Sequence, residues 1–187
     1  MTTNQKIGIF QNRYKNAFAQ IDVHRISGVE KYSLTAWRAG GREGMPESEL
    51  VPRFWNHFSQ INPRPRIVTF NGRGYGLALL RYRAMAMGLT IRRYFEENYA
   101  HRYSPQLHFD VMDQLCEHGA TAWPSLEDVR SLIYGPEEPQ PDMTEAQKAV
   151  HDAGTIAVAY GSMRLMSGHT DTASFEALVN AMGAPKT

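Results

Sequence analysis

Arg66-Ile67-Val68-Thr69-Phe70-Asn71-Gly72-Arg73-Gly74-Tyr75-Gly76-Leu77-Ala78-Leu79-Leu80-Arg81-Tyr82-Arg83 is the stretch on which the fold turns. The β-branched and aromatic run from Ile67 to Phe70 predicts a short buried strand. Gly72 and Gly74 then predict a tight turn, because glycine accepts backbone angles and close approaches that a Cβ forbids. Leu77, Leu80, Ala84 and Met87 recur at helical spacing, so a helix is expected from about Gly76 to Met87, closed at Gly88. A strand that turns over glycines into a helix places its turn at the end of a sheet, where α/β folds build sites.

Working outward, the segment before this stretch reads as a helix over Glu47 to Gln60. Leu50, Val51, Phe54, Trp55 and Phe58 form its apolar face, and Pro52 is acceptable only in a first turn. Asn62-Pro63-Arg64-Pro65 ends that helix. Upstream, strands are expected around Ile21 to Val29 and Tyr32 to Trp37, joined as a hairpin through Gly28-Val29-Glu30-Lys31. A loop covers Gly40 to Gly44, and Ile7 to Phe10 is a short apolar piece.

Downstream, a strand ends near Asp110 and runs into a helix that carries Asp113. Asp110 either caps that helix, the reading its position favours, or contributes to a metal site. Ser125 with Asp128 and Thr144 with Gln147 are capping-box pairs that start two further helices. The second is long, reaching about Ser167 with Gly168 as its stop. Between them, Gly135-Pro136-Glu137-Glu138-Pro139-Gln140-Pro141-Asp142 reads as an acidic, proline-rich loop. A last helix covers about Thr172 to Met182.

With 187 residues and 42% apolar residues, one domain with a packed core is expected. No run approaches the ~18 apolar residues of a membrane span, and no apolar leader stands at the N-terminus, so a soluble, cytoplasmic protein is expected. The single cysteine, Cys116, excludes an internal disulfide and a cysteine-cluster metal site, and reads as a small buried residue.

The net charge of +1 conceals two unlike halves. Residues 1–103 hold sixteen lysines and arginines against seven acids, and residues 104–187 hold four against twelve. Such halves can bind a polyanion, pair with each other, or dock a charged protein. Residues 64–103 interleave Arg64, Arg66, Arg73, Arg81, Arg83, Arg92, Arg93 and Arg102 with Tyr82, Tyr94, Phe95, Tyr99 and Tyr103. Arginine forks onto phosphate and aromatic faces stack on bases, which suits a single strand. The same pattern also describes a solvated helix face with tyrosines closing the core.

Val68-Thr69-Phe70-Asn71-Gly72-Arg73-Gly74-Tyr75-Gly76-Leu77 resembles the second motif of the predicted PolB-like 3'-5' exonucleases, members of the DEDD superfamily. Phe109-Asp110-Val111-Met112-Asp113 and Tyr160 to Gly168 extend the resemblance over about residues 21–168. It implies an α/β, ribonuclease-H-like mixed sheet flanked by helices. Residues 1–20 then form a divergent N-terminus, 135–143 a trimmed loop, and 169–187 a C-terminal helix and tail of a single domain.

The resemblance also implies a metal-binding set that this chain has largely lost. The family's first strand carries an Asp-x-Glu pair; here Gln11, Asn12 and Arg13 follow Phe10, and Asp22 with His24 is only a divergent candidate. Gly76 stands where the second motif has an aspartate, and Lys148 where the third has a tyrosine. Asp152 aligns with the third motif's aspartate, leaving Asp152, Asp110 and Asp113 as metal candidates. The expected function is therefore a degenerate exonuclease-like subunit that binds single-stranded DNA or RNA, or assembles with a protein partner. Its nucleic-acid contacts would be Asn71, Arg73, Arg81, Arg83, Arg92 and Arg93. The alternatives are an active exonuclease using non-standard or partner-supplied ligands, and a protein-interaction module without nucleic acid. No cofactor is expected, or Mg²⁺ or Mn²⁺ if the domain is active.

Overall fold

Ile67 and Val68 are neighbours on one strand, both fully buried, and each enters a different core. Successive strand side chains point to opposite faces, so this strand has helices on both sides. In the computed structural model, residues 7–13, 17–26, 29–38, 46–61, 66–135 and 143–182 are described, with the backbone alone for 7–13, 17–26, 29–38 and 145–146. The order is β1 (Ile7–Arg13), β2 (Ala17–Ile26), β3 (Val29–Arg38), α1 (Glu47–Gln60), β4 (Arg66–Thr69), α2 (Leu77–Ala86), α3 (Arg92–Glu96), β5 (His108–Asp110), α4 (Val111–Leu115), α5 (Leu126–Tyr134), α6 (Glu145–Met166) and α7 (Thr172–Ala181).

The five strands form one sheet in the order β3-β2-β1-β4-β5. β1 and β2, and β2 and β3, pair antiparallel; β4 lies parallel to both β1 and β5. The fold is therefore mixed α/β, with a mixed sheet. The expected hairpin is present with longer arms and a shorter connection: Ile26 pairs with Val29, so Val29 to Lys31 belong to β3.

On one side of β4, Leu50, Val51, Phe54, Trp55 and Phe58 of α1 pack with Leu77, Leu80 and Ala84 of α2, Ile67, and Tyr94 and Tyr99. Trp55 Nε1 also donates to the Leu80 carbonyl at 3.3 Å. Pro52 was expected only in a first turn, yet it lies inside α1. Five buried side chains anchor the helix across the missing N–H. On the other side, Val68 belongs to a core with Val111, Val129, Leu178 and the α6 face Ala149, Ala153, Ile156, Ala157 and Tyr160. α6 and α7 approach closely at Gly161, where a Cβ would come within 2.5 Å of the Leu178 side chain.

Both capping boxes form: Ser125 with Asp128 opens α5, and Thr144 with Gln147 opens α6. Gly88 ends its helix in the left-handed region, at φ 65°. Cys116 is buried, as a small core residue. Several expectations lie outside the described residues: the loop at 40–44, the helix-ending 62–65, the acidic segment 136–142 and the side chains of Asp22 and His24. Among the described residues, no helix is long and apolar enough to cross a membrane.

Candidate functional site

The glycine turn is a single π-helical turn, Gly72–Gly76, between β4 and α2. Asn71 enters it in the left-handed conformation, φ 53° and ψ 28°, which asparagine tolerates better than most residues. The Asn71 carbonyl accepts from the amides of Tyr75 and Gly76, which closes the wide turn. Gly72 packs so tightly against the Thr69 side chain that a Cβ there would overlap it.

Asp110, at the end of β5, faces this turn across the β4–β5 pair. Its Oδ1 accepts from the Asn71 amide at 2.8 Å and its Oδ2 from the Arg73 amide at 2.9 Å. The expected cap on its own helix is absent: Asp110 occupies the N-cap position of α4 but makes no side-chain cap hydrogen bond. The reason is competition, since two amides of the turn already engage both oxygens. Burial pushes the Asp110 pKa above its ordinary 3.8, with the two amides pulling the other way and nearby Asp113 adding to the rise.

Arg73 is drawn inward. One guanidinium nitrogen donates to the His108 carbonyl at 2.6 Å, and its Nε lies 3.7 Å from Asp113 Oδ2. Burial lowers its pKa, against the raising effect of Asp110 and Asp113. Arg102 donates to the other Asp113 oxygen at 3.0 Å. Beneath, His108 Nε2 and Thr69 Oγ1 lie 2.8 Å apart, and burial drives the His108 pKa well below 6.5.

The other arginines expected to bind nucleic acid have internal partners. Arg83 forks onto Glu47 through two hydrogen bonds. Arg93 reaches Glu97 and the carbonyls of Phe58, Ser59 and Ile61. Arg81 lies over the Tyr94 ring, and Arg92 pairs with Glu96 while keeping 76% of its side chain exposed. Tyr75, Tyr82, Phe95 and Tyr103 are exposed on the same stretch of chain.

Asp152 sits on α6, 2% exposed. Its Oδ1 accepts from Arg130 at 2.7 Å. The same guanidinium donates to Glu127 at 2.7 Å and to Thr155 Oγ1 at 3.3 Å. Arg130 was not singled out from the sequence, although a signal existed. It shares the i, i+3, i+4, i+7 stripe of Val129, a core residue, and of Leu126 and Ile133, which pack against that core.

Residues 16–156 match the family described as a predicted 3'-5' exonuclease related to the exonuclease domain of PolB. The chain belongs to this family. No curated protein matches it. Two-metal hydrolysis, the chemistry the resemblance implies, needs carboxylates converging on cations about 3.5–4 Å apart. The described side chains of this exonuclease-like domain do not fit that requirement. Asp110 is committed to backbone amides, Asp113 to Arg73 and Arg102, and Asp152 to Arg130. Gly76, in the turn, brings no ligand. Among the described residues, no three His, Cys, Asp or Glu side chains group as a metal site.

Proposed function

We propose that this exonuclease-like domain does not hydrolyse nucleic acid and serves instead as a single-strand-binding or assembly subunit on a ribonuclease-H-like fold. The observation that carries this reading is the ion pair between Asp152 and Arg130, which engages the acid that the resemblance aligns with the family's third motif. The sheet order supports the fold reading: three antiparallel strands are extended by two parallel ones, with the glycine turn following β4.

Phosphate contacts fall to arginines that can release a surface carboxylate, above all Arg83 and Arg92. Bases stack on Tyr75, Tyr82, Phe95 or Tyr103. Asn71, Arg73 and Arg93 shape the turn and the α1–α3 packing from inside.

Labelled single-stranded DNA and RNA incubated with the protein, in Mg²⁺ or Mn²⁺, test this directly. Salt-dependent binding without shortening is expected, weakened about tenfold or more in Arg83→Glu/Arg92→Glu. Shortening from the 3' end that Asp152→Asn abolishes would overturn the non-hydrolytic reading. Absence of binding at low salt would remove the nucleic-acid role and leave assembly.

A further inference from the structure

Arg130 and Asp152 occupy core positions on two packed helices. Leu126, Val129 and Ile133 surround Arg130 on the α5 stripe, and Ala149, Ala153 and Ile156 surround Asp152 on α6. Charges at such positions are costly unless each is well paired. Here the pairing converges on one guanidinium. Asp152 Oδ1 and Glu127 Oε2 each lie 2.7 Å from it, and Thr155 Oγ1 lies 3.3 Å away. Thr155 is fixed in turn, because its hydroxyl also donates to the His151 carbonyl at 3.1 Å. Two carboxylates and a hydroxyl thus turn their oxygens, the donor type that hard divalent cations also take, onto one guanidinium.

We propose that Arg130 is the resident cation of this domain, its guanidinium taking the place beside Asp152 that a divalent metal would otherwise fill. This rests on the non-hydrolytic reading and supplies a cause for it. Catalysis is missing because acids were lost and also because the surviving acid is bound to a cation that cannot dissociate. An arginine supplies charge through a planar fork with no open coordination position, so it can hold Asp152 in the core but cannot activate water. Divalent metal is then unnecessary for folding, and any binding of nucleic acid survives chelators.

Thermal denaturation with and without millimolar Mn²⁺ tests this in four proteins: wild type, Asp152→Asn, Arg130→Gln and Arg130→Gln/Asp152→Asn. The wild type is expected to show no Mn²⁺-dependent rise in Tm. Arg130→Gln is expected to melt lower without metal and to gain about 3 °C at ten times its apparent Kd for Mn²⁺. The double variant should regain much of the lost Tm and show no metal response. A folded Arg130→Gln that ignores Mn²⁺ overturns the proposal, as does a wild-type response that Asp152→Asn removes. If Arg130→Gln is unfolded without metal, circular dichroism decides. Refolding on Mn²⁺ addition supports the proposal, and continued unfolding overturns it whether or not the double variant folds. None of these readouts involves a nucleic acid. Strand shortening by the wild type that persists in Asp152→Asn would therefore overturn the non-hydrolytic reading while leaving the resident cation intact, whereas shortening that Asp152→Asn abolishes would overturn both.

Discussion

Asp110 and Asp152 are equally buried, each 2% exposed, yet they are satisfied in opposite ways. Asp110 is held by two backbone amides of the glycine turn, and Asp152 by a side-chain cation from the neighbouring helix. The first arrangement is written into the path of the chain. Any sequence that turns from β4 into α2 in this way offers those amides, and the carboxylate locks the turn. The second depends on the identity of one residue. One fold can thus hold one buried acid through the path of its backbone and another through a single arginine.

Truncation separates the two most sharply. Asp152→Ala leaves the Arg130 charge among apolar side chains, and breaking such a buried pair costs about 3–5 kcal/mol. Glu127 retains part of that charge, so the lower end is expected. Asp110→Ala leaves two neutral amides without their acceptor and should cost about 1–3 kcal/mol. Urea unfolding of the two variants checks the order. If Asp110→Ala proved the more costly, the turn lock would outweigh the helix pair and the comparison would fail.

The difference also governs what could be read from sequence. The strand, the glycine turn and the helix after it were legible between Ile67 and Gly88, because each signal is local. The caps at Ser125 and Thr144 were legible for the same reason. The order of the sheet was not, since pairing β1 with β4 depends on contacts that no periodicity encodes. Asp110 was read as a helix cap because its true partners, Asn71 and Arg73, stand 39 and 37 residues away. Arg130 hid among the acids of its half of the chain, although its place on an apolar stripe marked it as a charge bound inward.

Acid titration probes the Asp110 side, where the buried His108 lies beneath the turn. His108 is held well below 6.5 by burial, so the folded state binds fewer protons there than the unfolded chain. Its contribution is complete above pH 6.5 and is lost as pH falls below that value. Asp110 has the opposite sign. Its folded pKa is raised above 3.8, so its contribution is fully present below 3.8 and is lost as pH rises through the folded value. Tm should therefore fall from pH 7 to pH 5, and His108→Gln should flatten that slope. A slope unchanged in His108→Gln would place the acid sensitivity elsewhere.

The smallest effect is expected at Glu127, and it decides which carboxylate matters to Arg130. Glu127 makes as short a contact with the guanidinium as Asp152 does, 2.7 Å in both cases. Its side chain, however, is 67% exposed, where that of Asp152 is 2% exposed. Distance alone would rank the two equal. Solvent screening and the entropy of holding an exposed side chain reduce the outer pair to about 0–1 kcal/mol. Glu127→Gln should therefore move the unfolding midpoint only slightly, and Asp152→Asn should move it substantially. Equal losses would mean that water reaches the guanidinium from both sides, and the pair could not be treated as the buried anchor of α5 on α6.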